Sequence, residues 1–192
     1  MDENELRELM GGLTPEERAA QSSIAFESGD YRRYVLLMHG RDRLVRFREV
    51  EDRVDDSIYW SLLAEVYVSI ERPGGEIFDL LRSTRPQREL FMTEDERQAF
   101  AALPEVLTLW RGDTRRDEPG WAWTLEQEQA EWFARQRERT YGDAARVRTA
   151  TAAKKDAVGY LTRRDEAEIV IDPDCLHDVR ERPIVMAPFE VS

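Results

Sequence analysis

Val106-Leu107-Thr108-Leu109-Trp110-Arg111-Gly112 marks the point where the chain changes character. Its β-branched and aromatic residues suit a pleated, buried surface, so a strand is expected over 106–110, with an arginine and a glycine following at once. Upstream, the signals are helical. Thr14-Pro15-Glu16-Glu17 offers an N-cap hydroxyl, a proline at the first helical position and a glutamate at the third. From Asp56 onward, Tyr59-Trp60, Leu62-Leu63, Val66-Tyr67 and Ile70 recur at helical spacing before Pro73-Gly74-Gly75. Thr93-Glu94-Asp95-Glu96 repeats the capping logic for a short helix through Phe100 to Leu103, ending near Pro104.

Downstream, strands predominate. A polar loop is expected over 113–120, then Trp121-Ala122-Trp123-Thr124 as a turn leading into a helix that carries Ala130, Phe133 and Ala134 inward, with Thr124 and Gln127 at capping-box spacing. Ala145 to Ala152 reads as a strand, Lys154 to Tyr160 as extended chain or a short turn, and Ile169-Val170-Ile171 as a short strand before Asp172-Pro173. The expected class is α+β. A helical region over 1–104 packs on a β-rich core over 105–192, the two forming one structural unit.

Composition narrows the chemistry. At 192 residues, 41% of them hydrophobic, the chain suffices for one catalytic unit. Its apolar runs are too short to span a bilayer, and the acidic start Met-Asp-Glu-Asn-Glu is unlike a secretory signal. Cytoplasmic residence is therefore expected, with no membrane partner. A single cysteine, Cys175, beside only His39 and His177 offers neither an internal disulfide nor a zinc ligand set, so no metal is expected. The net charge of -12 opposes nonspecific nucleic-acid binding. Arg32, Arg33, Arg41, Arg43, Arg46 and Arg48 nonetheless form a basic stretch, read as a solvated or internally paired face in preference to a docking patch.

Three blocks follow one another through the second half: Leu109-Trp110-Arg111-Gly112; Trp121-Ala122-Trp123-Thr124 with Ala130-Glu131-Trp132-Phe133-Ala134; and Arg164-Asp165-Glu166-Ala167-Glu168-Ile169-Val170-Ile171-Asp172-Pro173. Each is weak alone. An Arg-Gly pair is common after strands, and the charged run around Glu166 suits an edge strand facing water. In this order, over roughly residues 103–179, they resemble the arginine-serine-glutamate branch of the ADP-ribosyltransferase superfamily. The resemblance implies a split β-sandwich core and NAD as co-substrate. It also implies mono-ADP-ribosyl transfer to a macromolecular acceptor, protein arginine in preference to nucleic acid.

The resemblance assigns roles that the chemistry makes intelligible. Cleaving the bond between nicotinamide and ribose builds oxocarbenium character on the sugar, which a fixed carboxylate stabilises more in the transition state than in the ground state. Glu168 matches the catalytic glutamate, and Glu166, two residues earlier, matches the glutamate that orients the acceptor. Arg111 with Gly112, and Trp123 with Thr124, match the cofactor-binding positions; Trp123 would line the nicotinamide pocket, while Trp132 and Phe133 are read as core. Ala122 stands where many relatives carry a serine that helps hold the catalytic glutamate. Losing such a bond to a charged group costs about 1.5–3 kcal/mol, or roughly one to two decades of rate. Two alternatives stay open: an NAD glycohydrolase, and a catalytically weak NAD-, ADP-ribose- or protein-binding module.

Overall fold

The computed structural model describes residues 12–70, 74–114, 120–163 and 167–184. The chain divides into two compact units, Met1–Phe91 and Met92–Ser192. The class is α+β, and the division falls before the helix that the sequence had grouped with the N-terminal region.

The first unit contains helices α1 (Pro15–Ser28), α2 (Tyr31–Leu36), α3 (Arg41–Val50), α4 (Asp56–Val68) and α5 (Gly75–Leu81). The Thr14 capping box forms as expected: the Glu17 N–H donates to Thr14 Oγ1 at 3.2 Å, and the Thr14 N–H donates to Glu17 Oε2 at 2.8 Å. At the other end Gly29 adopts φ 78°, a left-handed conformation that glycine takes without Cβ strain, and its N–H returns to Ala25 and Phe26. Helix α4 buries Tyr59, Trp60, Leu62, Leu63, Val66 and Tyr67, which occupy most of its circumference, as suits a helix enclosed by its neighbours. Rings of Phe47, Phe91 and Tyr67 extend this core, and the buried Trp60 indole donates to the Arg85 carbonyl at 3.2 Å.

The basic stretch is largely answered within this unit. Arg32 pairs with Glu65, Arg46 with Glu49 and Arg48 with Glu51, while Arg33 donates to Gln21. Arg43 donates to the carbonyls of Met38 and Leu36. These contacts agree with a paired face.

The second unit opens with α6 (Glu94–Ala101) and continues through β1 (Val106–Thr114), β2 (Ala122–Thr124), α7 (Gln127–Tyr141), β3 (Ala145–Ala153), β4 (Ala157–Leu161), β5 (Glu168–Ile171) and β6 (His177–Pro183). The strands form one sheet in the order β4-β5-β2-β1-β3-β6, with every pair antiparallel. Strand β1 matches β3 along its whole length, from Val106 opposite Ala153 to Thr114 opposite Ala145. It therefore runs past Trp110 and takes in Asp113, where a polar loop was expected. Helix α7 turns Ala130 and Ala134 to the sheet, whereas Trp132 is 51% exposed instead of joining the core. Among the described residues no helix is long and apolar enough to cross a membrane.

Because side chains alternate along each strand, the sheet has two distinct faces. One carries Leu107, Leu109, Trp123, Ala150, Ala152, Ile169 and Ile171, packed with Phe100 of α6 and with Leu103 and Leu176. The other carries Val147 and Ala145 beneath Ala130 and Ala134 of α7. Helix α6 belongs to the sheet unit through two polar links. The Lys154 ammonium donates to the Ala101 carbonyl at 3.3 Å, and Glu96 receives the Thr162 N–H at 2.9 Å.

Glu96 is only 2% exposed. Burial alone would push its carboxyl up, but N–H donors from Thr162 and Thr93, with the Arg163 guanidinium at 3.2 Å, together hold it below the usual carboxylate range. A carboxyl lowered on folding contributes stability above its unfolded value, about 4.3, and loses it as pH falls through the folded one. Glu96→Gln is expected to cost about 1–3 kcal/mol at pH 7, the gap to the parent narrowing below about pH 4.5. Urea unfolding followed across pH 3–7 measures this, and a pH-independent gap would remove the electrostatic account.

Candidate active site

The strand registers place the expected residues more finely than the motif order could. Leu161 lies opposite Glu168, Glu168 opposite Thr124, Thr124 opposite Trp110, Trp110 opposite Thr149, and Thr149 opposite Arg180. This row crosses the α7-bearing face from β4 to β6. Directly opposed residues have Cβ atoms about 5 Å apart, so Thr124 and Glu168 are immediate neighbours. Glu168 is half-buried and Thr124 buried.

The hydroxyl beside the glutamate is therefore Thr124's. Ala122 lies opposite Val170, two residue pairs along the strand and on the same face, so a serine there would not stand directly across from Glu168. Thr124 does not form the expected capping box with Gln127; its Oγ1 accepts the Glu126 N–H at 3.1 Å, fixing the turn into α7. Gln127 instead donates to Glu131, one helical turn on. Glu166 lies outside the described residues.

Arg111 and Trp123 fall on the opposite face. The Arg111 Nε donates to Asp113 at 2.8 Å and its Nη1 to the Ala122 carbonyl at 2.6 Å, with the guanidinium lying against Gly120. Asp113 has no solvent exposure, and its second oxygen faces Arg148 at 3.1 Å. Burial pushes the Arg148 guanidinium down, and Asp113 and Glu181 draw it back toward the charged form. Arg111 thus ties β1 to β2 within a buried ionic cluster. Trp123 is 2% exposed among Leu107, Leu109, Ile169 and Ile171, with its indole N–H donating to the Gly120 carbonyl at 2.8 Å. A ring enclosed in this way packs as core and offers no open face to a ligand.

Gly112 has a different reason to be glycine. A Cβ built there would fall 2.0 Å from the Ala130 carbonyl oxygen and 2.5 Å from the Ala134 nitrogen, so α7 crosses β1 backbone to backbone. The helix occupies the space above this glycine. Asp113, Arg148 and Trp110 were not singled out from the sequence. The alternation Arg146-Val147-Arg148 was the available signal for the ionic cluster, since both arginines had to share one face of a strand. Among the described residues no group of three or more His, Cys, Asp or Glu side chains is arranged to hold a metal ion.

Gly112→Ala is expected to destabilise the sheet unit by about 3 kcal/mol, because the obstructing atoms are helix backbone and cannot rotate away. Thermal unfolding measures it; a change within about 0.5 kcal/mol would show that α7 can withdraw at little cost.

No protein-family model, curated protein or solved structure matches the chain.

Proposed function

We propose that the protein is an NAD-dependent mono-ADP-ribosyltransferase, with Glu168 as the catalytic carboxylate and the α7-bearing sheet face as the reaction surface. The observation that supports this best is the placement of Glu168 directly across from Thr124 on one face of an ordered sheet. A half-buried carboxylate flanked by a hydroxyl-bearing residue suits the recognition of ribose hydroxyls. Its negative charge suits a sugar that becomes cationic as the glycosidic bond breaks. The resemblance of the three sequence blocks supplies the choice of NAD, and with it the split β-sandwich as the finer description of the core.

In the reaction, the C1′–N bond to nicotinamide breaks with its electron pair going to the ring nitrogen, which neutralises the pyridinium. Glu168 accepts hydrogen bonds from the nicotinamide-ribose hydroxyls and stabilises the ribosyl cation. An acceptor nitrogen, an arginine side chain of a protein, attacks C1′ and gives up a proton to Glu166. Arg111 serves indirectly: through Asp113 and the Ala122 carbonyl it holds β1 and β2 in the register that sets Trp110 beside Thr124. Thr124 orients the glutamate.

Nicotinamide release from NAD in the presence of cell lysate tests this. Glu168→Gln is expected to lower the rate about 100-fold or more while leaving the melting temperature near the parent's. Thr124→Val should lower kcat about tenfold, with Thr124→Ser restoring most of it. Labelled ADP-ribose on a protease-sensitive product supports the protein acceptor. Free ADP-ribose alone would make water the acceptor, and no turnover above the Glu168→Gln control would end the transferase reading.

A further inference from the structure

Glu168 is the first residue of β5, a strand of four residues, and its partner Leu161 is the last of β4. The pair therefore closes the β4–β5 ladder, and the ends of elements are where a structure opens most readily. A carboxylate that must hold one position beside a reacting sugar thus stands where its sheet is inclined to fray. On the β2 side it is backed by Thr124. On the other side β4 is the outermost of the described strands.

Support on that side comes from α6. The Ala167 carbonyl and the Ile171 N–H turn toward β2, accepting from Leu125 at 3.2 Å and donating to Trp121 at 2.9 Å, which leaves Glu168 to bond Leu161. Successive N–H groups along a strand point to opposite edges, so the Thr162 N–H, next after Leu161, is directed to the outer edge of β4. There it donates to Glu96 Oε1 at 2.9 Å, and the Arg163 guanidinium meets Glu96 Oε2 at 3.2 Å. Glu96 is itself fixed, because Oε2 also accepts the Thr93 N–H of the capping box at 2.8 Å and its side chain is 2% exposed. A buried charged acceptor holds an N–H and a guanidinium more strongly than a neutral one does.

We propose that Glu96 is a positioning residue for Glu168: by fixing Thr162 and Arg163 at the outer edge of β4, it keeps the Leu161–Glu168 pair closed. The proposal rests on the transferase reading, in which Glu168 is the catalytic carboxylate. It gives α6 a task besides covering the apolar face, and it confines that task to one end of the helix. At the other end Lys154 donates to the Ala101 carbonyl at 3.3 Å and pairs with Glu105 at 2.9 Å, beside the start of β1 and away from the row of Glu168.

Nicotinamide release from NAD by the full chain, measured below every variant's melting transition, tests it by comparing Glu96→Ala and Glu96→Gln with Lys154→Met. Glu96→Ala should lower kcat about tenfold with KM for NAD within about twofold, and Glu96→Gln, which keeps an oxygen for the Thr162 N–H, should recover part of the loss. Lys154→Met also loosens α6 and lowers the melting temperature, yet should leave kcat within about twofold. Amide hydrogen exchange at Glu168 should quicken about tenfold in Glu96→Ala and stay at the parent's rate in Lys154→Met. Should Glu96→Ala not fold, Glu96→Gln against Lys154→Met decides by the same two readouts. Unchanged kcat or unchanged exchange at Glu168 in the Glu96 variants, or an equal loss in Lys154→Met, overturns the positioning role. If that happens while Glu168→Gln still abolishes nicotinamide release, the transferase reading stands without it. A parent that releases no nicotinamide above the Glu168→Gln control removes both.

Discussion

A carboxylate withdrawn fully from water must be met by positive charge, and Asp113 is met from two sides, by Arg111 on its own strand and Arg148 on the next. Breaking such a buried group by removing one partner costs about 3–5 kcal/mol, because the remaining charge stays desolvated. Much of the sheet's geometry depends on it. Arg111 also reaches the Ala122 carbonyl, so the same cluster fixes β2 against β1 and β3 against β1. The register that sets Trp110 beside Thr124 on the far side of the sheet is held by that anchoring, and the β2–β5 pairing then brings Glu168 opposite Thr124; a one-residue slip would exchange the two faces.

The sheet also divides its work between faces. Around Leu107, Leu109, Trp123, Ile169 and Ile171 one face is apolar, and it becomes ionic toward Arg111 and Asp113. On the other face, α7 descends onto Gly112 with Trp110 packed at its edge, and the remaining residues of that face range from exposed Thr108 and half-buried Thr149 to buried Thr124 and Val170. Close approach is possible because the contacting residues are glycine and alanine, which bring backbone to backbone. The large aromatics Trp132 and Phe133 are consequently displaced to the flank, where they pack against each other at 5.0 Å. Polar side chains such as Thr149 and Glu168 can stay half-buried beside a packed helix because that helix occupies only part of the sheet.

The helical unit shows a related economy of charge. Its Arg-rich stretch is consumed by Glu65, Glu49, Glu51 and backbone carbonyls, most of them partly exposed, where each pair contributes on the order of 0.2–1 kcal/mol. Aromatic packing around α4 dominates the stability of this unit. The basic stretch is thus a matter of internal pairing more than of a cationic surface open to partners.

Local chemistry made several elements legible in the sequence. Capping boxes at Thr14 and Thr93 mark helix starts because two residues three positions apart satisfy two backbone N–H groups between themselves. Val106–Trp110 and Ile169–Ile171 read as strands because their side chains suit a pleated, buried surface. Strand β6 was not legible: His177–Pro183 is charged and exposed along its length, and only pairing with β3 makes it a strand. The same limit applies to the site. Sequence order brought Arg111, Thr124 and Glu168 into one list, and period-two alternation made each strand's faces calculable. Which face of β1 meets which face of β2 and β5 depends on register, a property of hydrogen bonds between distant segments and of the buried charge that locks them. Tertiary structure alone therefore set Thr124 and Trp110 on the side of Glu168 and turned Arg111 away toward Asp113.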